Sequence, residues 1–235
     1  MKNIGALLLL VLFVESCAPK LSTTVIQKRN PLVNKEEVLV LSRKDNAPAK
    51  AEELGALEIK YGGLTAHAEY NEILYTAKAA AREMGGNVVQ ITEHHFSPGG
   101  GVSKHGITAK VLKVENFEEL SKQINKSKTD PSRNYALLHM YRMGSYGILI
   151  GYDVHLGDSV IWRAKANEKS TLKISKDGLN SVWGSTESRS EAPVNLKPGR
   201  EYYIKCQMLP GILIGRPNIQ VLDEEGGSME YESLQ

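Results

Sequence analysis

The stretch that decides the fold reads YNEILYTAKAAAREMGGNVVQITE, from residue 70 to residue 93. Its apolar residues first recur three and four positions apart, the spacing that places side chains on one face of an amphipathic helix. They are Tyr70, Ile73, Leu74, Ala77, Ala80, Ala81 and Met84. Gly85 and Gly86 end this pattern, and a glycine just past a helix can take the left-handed conformation that caps it. The run from residue 87 to 93, rich in valine and isoleucine, then predicts a strand.

Shorter patterns on both sides extend this core. Residues 38–41 are a continuous apolar run that ends before the turn-forming residues 45–48, so they predict a short buried strand. Residues 57–61 alternate between apolar and charged side chains, which predicts a half-exposed strand. Residues 106–114 predict another strand. The glycine-rich residues 96–104 are expected to form a flexible loop before it.

The order strand, strand, helix, strand, strand predicts a small α+β domain over residues 35–115, with the helix on one face of a sheet. Three of its segments carry a resemblance, namely residues 38–40, 51–55 and 77–89. They look like the small envelope domains of the heavy-metal-binding type that are related to the Rcs stress-sensor lipoprotein. The resemblance implies the fold alone, because residues 35–115 lack the cysteines that cross-link the stress sensor.

Residues 116–133 predict a helix followed by a linker. Asn116 can cap this helix, with Glu119 three residues further on. Its thin apolar stripe consists of Phe117, Leu120 and Ile124. We expect this stripe to pack against a neighbouring part of the chain.

Regular strand and turn patterns fill residues 134–223, which predicts a β-sandwich. Residues 136–142, 152–156 and 196–203 resemble a family of bacterial lipoprotein and periplasmic domains of unknown function with a prealbumin-like sandwich. That resemblance implies no catalytic residues. The expected fold class is therefore α+β, a small sheet-plus-helix domain followed by an all-β sandwich domain. Residues 224–235 are expected to form a polar, solvated tail.

The amino terminus predicts export and lipid attachment. Residues 4–14 form an apolar run that is too short to span a bilayer but has the length of a signal-peptide core. The following Val-Glu-Ser-Cys sequence at residues 14–17 resembles the lipobox of bacterial lipoproteins. This resemblance implies a signal peptide over residues 1–16 and lipid on Cys17. We expect residues 17–34 to be a polar tether without fixed structure.

Ala18 follows the cysteine where an aspartate would retain a lipoprotein in the inner membrane, so the resemblance implies the outer membrane, on the periplasmic side. If Cys17 carries lipid, only Cys206 remains and no intramolecular disulfide can form. Cys206 lies on the apolar face of an alternating run, and we expect it to be a buried, inert thiol.

Charge and composition exclude one class of partner. The chain has 29 basic and 27 acidic residues, for a net charge of +2, and they are scattered along its length. Proteins that bind nucleic acid usually carry a basic stripe or patch. We therefore expect no nucleic-acid partner.

Histidine offers the clearest candidate chemistry, because His94, His95 and His105 flank the glycine-rich loop. His94 and His95 are consecutive on a predicted strand and point to opposite faces, so at most one of them can join His105. Two imidazoles do not complete a tetrahedral zinc site. We therefore predict no metal, no cofactor and no catalytic residue.

The anchor, together with the lack of a hydrolase elbow of the Gly-x-Ser-x-Gly type, favours a non-enzymatic binding or sensing module in the envelope. Its expected partners are the membrane, through lipid on Cys17, and an envelope protein or the cell wall. The alternative is a small-ligand or metal-binding lipoprotein that uses His105 with His94 or His95. A hydrolase is the third reading.

Overall fold

The computed structural model describes residues 20–33, 36–60, 69–99 and 102–234. These residues form mostly β-strands together with three helices, which confirms the predicted α+β class. Cys17 and the predicted signal peptide lie outside the described residues. Among the helices of the described part, none is long and apolar enough to cross a membrane.

A five-stranded sheet contains the first part of the chain. Its strands are β1 (Lys20–Val25), β2 (Leu39–Leu41), β3 (Glu52–Lys60), β4 (Val88–Gly99) and β5 (Val102–Lys113), in the spatial order β1-β3-β5-β4-β2. Neighbouring strands are antiparallel except β2 and β4. Helix α1 (Tyr70–Met84) packs on one face, and its seven predicted apolar residues are all buried. Gly85 ends this helix with a φ of 83°, as predicted.

Helix α2 (Phe117–Ser127) packs on the opposite face of this sheet. Its apolar stripe contacts a small cluster that contains Leu41, Val88 and Leu112, which confirms that the stripe packs within the chain. Asn116 is the N-cap residue, but its side chain makes no capping hydrogen bond to the described residues, so that prediction is wrong. The backbone of Asn116, with φ −90° and ψ 56°, departs from the extended conformation that usually lets a capping side chain reach the first N–H groups.

Two four-stranded sheets form the second part. Their strands are β6 (Ala136–Tyr141), β7 (Tyr152–Leu156), β8 (Ser159–Ala164), β9 (Lys169–Ile174), β10 (Gly178–Ser185), β11 (Arg189–Leu196), β12 (Glu201–Leu209) and β13 (Arg216–Leu222). One sheet has the order β11-β10-β7-β8 and the other β13-β12-β6-β9. Both contribute to one apolar core, which is consistent with the predicted β-sandwich. Cys206 is fully buried in this core, as predicted.

Three predictions of irregular structure are wrong. Residues 20–25, inside the predicted tether, form strand β1, whose side chains are all exposed. The predicted flexible loop over residues 96–104 instead extends the β4–β5 hairpin, up to the pairing of Gly99 with Val102. The tail contains helix α3 (Glu224–Ser233), part of which is buried. Each segment lacks the apolar periodicity from which strands and helices are predicted.

Candidate functional site

Helix α3 lies where the β4–β5 hairpin meets the outer face of the sheet that contains β12. It contacts β4 on one side, and β12 and β6 on the other. Asp223 caps its first turn, because the Asp223 carboxylate accepts a hydrogen bond from the N–H of Glu225. Tyr231 and Leu234 at its far end pack with Tyr141 and other apolar side chains. This helix therefore joins the two parts of the molecule.

Two adjacent glycines let α3 lie close to its neighbours. A Cβ atom at Gly226 would lie 2.1 Å from Cδ1 of Tyr70, and one at Gly227 would lie 2.3 Å from Cβ of Tyr203. Glycine in a helix interior is less favourable than alanine by roughly 1 kcal/mol. Here the missing side chains make room for two aromatic residues.

We expect Gly226→Ala to lower the free energy of unfolding by about 1–3 kcal/mol, although alanine is the better helix former. The added methyl group would overlap the ring of Tyr70, which is fully buried and stacks on His94. Urea unfolding measures this change. Ser228→Ala, at a half-buried position of the same helix, is the control and should have little effect. A more stable Gly226→Ala variant would contradict the close packing.

A chain of ionisable side chains runs through this joint. Nε of Arg43 donates to Oε1 of Glu225 at 2.6 Å, and the same oxygen lies 3.3 Å from Nδ1 of His94. Nε2 of His94 lies 2.9 Å from Nδ1 of His105. Nε2 of His105 lies 2.8 Å from Oε1 of Glu230. The side chains of His94, His105 and Glu230 are fully enclosed.

Glu230 is surrounded by donors. Nζ of Lys205 lies 3.1 Å from Oε1 and 3.0 Å from Oε2, and the Tyr141 hydroxyl donates to Oε2 at 3.1 Å. Lys205 also donates to Oγ of Ser103 on β5, at 3.1 Å. We call the following set the buried network: Arg43, His94, His105, Tyr141, Lys205, Glu225 and Glu230. Its lasting cations are Arg43 and Lys205, and its carboxylates are Glu225 and Glu230.

The positions of the protons follow from three contacts, those between Glu225 and His94, between the two histidines, and between His105 and Glu230. A neutral imidazole such as that of His105, whose pKa is lowered, supplies one N–H group. An ionised Glu230 can only accept, so we assign a proton to Nε2 of His105 and another to Nε2 of His94.

Burial lowers the pKa of His105 below its usual 6.5, although the hydrogen bond and the charge of Glu230 act in the opposite direction. Burial alone would raise the pKa of Glu230, but the hydrogen bond from His105 and the charge of Lys205 outweigh it and lower the pKa. Contacts with His94 and Arg43 likewise lower the pKa of Glu225 despite burial. At neutral pH the network therefore holds two carboxylates and an uncharged His105.

We expect the free energy of unfolding to fall as the pH decreases. The unfolded chain takes up a proton on His105 as the pH falls through 6.5, whereas the folded chain resists it because the folded pKa is lower. Protonation of Glu225 and Glu230 adds a second loss below 4.5, in the same direction.

Urea unfolding at a series of pH values measures this dependence. The His105→Gln variant should show a flatter dependence near pH 6.5, the usual pKa of the group it loses. The exposed His95 is the matched position, and His95→Gln should keep the native dependence. Stability that rises on acidification would rule out this assignment of charges.

Aromatic rings enclose the histidine pair. The ring of Tyr70 stacks on His94 with 4.7 Å between centroids, and the ring of Phe96 lies 4.9 Å from His105. The Tyr70 hydroxyl is buried and has no hydrogen-bond partner among the described residues. Because these rings exclude water from the histidine pair, the hydrogen bonds of His94 and His105 act in a medium of low polarity, where they are stronger.

The structure brings His94 and His105 together and turns His95 away. His95 is exposed and lies 3.5 Å from Glu93, whereas His94 is buried, which confirms that the two consecutive histidines face opposite sides. The ring nitrogens of His94 and His105 face each other and the two carboxylates of α3. In the described part of the chain, no group of three or more His, Cys, Asp or Glu side chains has the arrangement to hold a metal ion.

The other members of the network were missed by the sequence analysis. Glu225 and Glu230 belong to the segment predicted to be a solvated tail, so their burial corrects that prediction. Lys205 did give a signal, since it stands between Ile204 and Cys206 in an apolar strand. A lysine in that position is seldom fully buried without a partner of opposite charge.

Comparison with known proteins adds nothing to this description. No protein-family model, no characterised protein and no solved structure matches the chain. The function must therefore be inferred from the residues and contacts described above.

Proposed function

We propose that this chain is a lipid-anchored envelope protein that acts as a non-enzymatic binding or sensing module. The observation that carries the proposal is the buried network, which ties α3, the β4–β5 hairpin and β12 together through ionisable side chains. His94, His105, Lys205 and Glu230 are paired within the network and enclosed, and Arg43 reaches Glu225 from a partly exposed position. Such an arrangement suits a joint that responds to its surroundings better than a site that turns over a substrate.

The same proposal divides the chain into two domains, at residues 35–115 and 134–223. The support is that the buried apolar side chains form two large, separate clusters, one under α1 and one between the four-stranded sheets. Helix α3 then covers the boundary between the domains. A signal that loosened the network would change how the domains are held.

The anchor is the part of the proposal that the amino terminus supports. Residues 4–14 and the lipobox-like residues 14–17 support lipid on Cys17, and Ala18 favours the outer membrane, facing the periplasm. Strand β1 starts at Lys20, three residues after Cys17. Three residues span at most about 10 Å, so the folded part would be held at the membrane surface.

Mass spectrometry of the amino-terminal peptide tests the anchor. The full chain is expressed in a Gram-negative bacterium and recovered from the membrane fraction, with Cys17→Ala as the matched control. We expect an acylated peptide that begins at Cys17, and a control chain that is neither acylated nor cut. A peptide that begins at Met1, or an unmodified cysteine, would refute the anchor.

Crosslinking in intact cells tests the binding role. We expect one reproducible envelope partner with the native chain and its loss with Cys17→Ala, because a chain that is neither acylated nor cut is not delivered to the outer membrane. Acylation of Cys17 without any crosslinked partner would contradict a protein-binding role while leaving the anchor intact.

A further inference from the structure

The chain contains one pentapeptide twice. Residues 147–151 and residues 211–215 both read Gly-Ile-Leu-Ile-Gly. The first copy lies between β6 and β7, and the second between β12 and β13. We call them the GILIG loops.

The two loops lie side by side at one end of the four-stranded sheets. Strands β6 and β12 are parallel neighbours, so the loops that follow them leave the sheet at the same end. Both loops also contact one side chain, since a Cβ atom at Gly147 or at Gly215 would lie 3.1 Å from Cγ of Met208. The repeated sequence therefore forms a single surface.

That surface is apolar and fully open. Leu149 is 96% exposed, and Ile212 and Leu213 are each 89% exposed. Ile148 and Ile214 add to the same patch. Contiguous exposed aliphatic side chains at this density mark an interaction site or a membrane contact.

Four backbone N–H groups of the second loop already have hydrogen-bond partners within the protein. The carboxylate of Glu187 accepts hydrogen bonds from the N–H groups of four consecutive residues, which are Ile212, Leu213, Ile214 and Gly215. The contacts from Ile212 and Gly215 measure 2.8 and 3.0 Å. These bonds lower the pKa of Glu187 to about 2, so its carboxylate is ionised at neutral pH and accepts all four hydrogen bonds.

In the first loop a positively charged side chain donates hydrogen bonds to backbone carbonyls. The guanidinium of Arg142, which is 1% exposed, donates to the carbonyls of Tyr146 and Gly147 at 3.0 and 2.8 Å. It also donates to the carbonyl of Ile150. In both loops a charged side chain pairs with the backbone and leaves the aliphatic side chains pointing outward.

This combination favours lipid as the occupant. Unpaired backbone groups cost several kcal/mol in hydrocarbon. Four N–H groups of the second loop, and three carbonyls in and next to the first, are already paired. A protein that bound by adding a strand would need free backbone groups on these loops. Tyr146, 48% exposed directly before the first loop, is an aromatic residue of the kind enriched at membrane–water interfaces.

The position of the loops agrees with a membrane contact. Oγ of Ser103, near the tip of the β4–β5 hairpin, lies 3.5 Å from Sδ of Met143, which shortly precedes the first loop. Lys20 pairs with Lys60 at the end of the five-stranded sheet from which this hairpin projects. The start of the described chain and the GILIG loops thus lie toward the same side, an argument that rests on the proposed anchor at Cys17.

We propose that the GILIG loops insert their aliphatic side chains into the acyl boundary of a phospholipid leaflet. The loops form a second membrane contact, which needs no lipid on Cys17. Arg216, exposed directly after the second loop, meets the lipid phosphates. This contact fixes the orientation of the chain on the membrane, which a flexible lipid anchor alone leaves free.

A polarity-sensitive fluorophore on single cysteines tests the insertion in the full chain. Leu149→Cys and Leu213→Cys carry the probe, and Leu179→Cys is the control. Leu179 is 79% exposed and lies at the start of β10, whereas Glu187, which holds the second loop, follows the end of that strand. All three chains carry Cys17→Ala, so labelling is confined to the probe site and no lipid on Cys17 contributes. Residues 1–16 are the same in all three chains, so they cannot cause a difference between the probe sites. Cys206 is buried and does not compete for label.

The labelled chains are mixed with vesicles of phosphatidylethanolamine and phosphatidylglycerol, with and without quencher-bearing acyl chains. We expect a blue shift and quenching at positions 149 and 213, and neither at 179. Adding Ile212→Ser to the chain labelled at 149 should lower the insertion equilibrium about tenfold, whereas Leu179→Ser should leave it unchanged.

Probes at 149 and 213 that remain as exposed to water as the probe at 179 would overturn the proposal. A blue shift that grows with protein concentration in the absence of vesicles would also overturn it, in favour of a second copy of the chain. Because Cys17 is absent from every variant, none of these results depends on whether the anchor exists.

Discussion

Replacing Glu230 with alanine should lower the free energy of unfolding by about 3–5 kcal/mol, the effect of removing one partner from a buried ion pair. Glu230 and Lys205 are both fully enclosed, and the same carboxylate accepts from His105 and Tyr141. Alanine would leave the Lys205 ammonium without a counter-ion and two further donors without an acceptor. The large loss of stability comes from these buried groups, which lose their hydrogen-bond and charge partner.

Urea unfolding of matched variants measures the loss. Glu224→Ala is the control, because Glu224 lies on the same helix but is half exposed, and its contact with Lys128 measures 3.8 Å. Exposed pairs of this kind contribute little to stability. Glu230→Gln separates shape from charge, since glutamine fills the same space but leaves Lys205 uncompensated. Equal losses for Glu230→Ala and Glu224→Ala would show that the network does not hold the joint.

The parts of the fold that were predicted from sequence are those where apolar periodicity and turn chemistry agree. Helix α1 was predicted with its buried face because seven apolar residues recur at helical spacing and Gly85 follows them. Strands β7 and β8 lie in the segment whose regular strand and turn patterns predicted a β-sandwich, and Gly157, which turns the chain between them, has a φ of 58°. Both signals are local, so neighbouring sequence suffices to give them.

Strand β1 shows why the rest was missed. None of its six side chains is buried, and the strand is held by backbone pairing with β3. A Cβ atom at Gly55 would lie 2.1 Å from the carbonyl oxygen of Thr24, so a glycine on β3 provides the room for this strand. Pairing between backbones leaves almost no trace in the sequence of an edge strand.

The buried network was only half predicted, for a related reason. The sequence allowed one of the consecutive histidines to meet His105, because the hairpin brings them together across 11 residues. Glu225 and Glu230 lie 131 and 125 residues away from the histidines they contact. The helix that carries these carboxylates was not predicted because it contains Gly226 and Gly227, and glycine pairs usually end helices rather than occupy them.

Arg142→Met is expected to lower the free energy of unfolding by about 3 kcal/mol. Methionine is close to arginine in length and leaves little cavity, so the loss comes from carbonyl groups that lose their donor. The guanidinium donates to Tyr146 and Gly147 in the first GILIG loop region and to Ala164 on β8, the last at 3.3 Å. A buried acceptor left unpaired costs roughly 1–3 kcal/mol.

Arg29→Met is the matched control, since Arg29 is exposed and pairs with Glu52 on the surface. Urea unfolding should separate the two variants by about 2 kcal/mol or more. Arg142 holds the carbonyls of the first loop, and Glu187 holds the N–H groups of the second. The Arg142→Met variant should therefore expose only the first loop to proteolysis. Cleavage of both loops, or of neither, would mean that each loop is not held by its own charged residue.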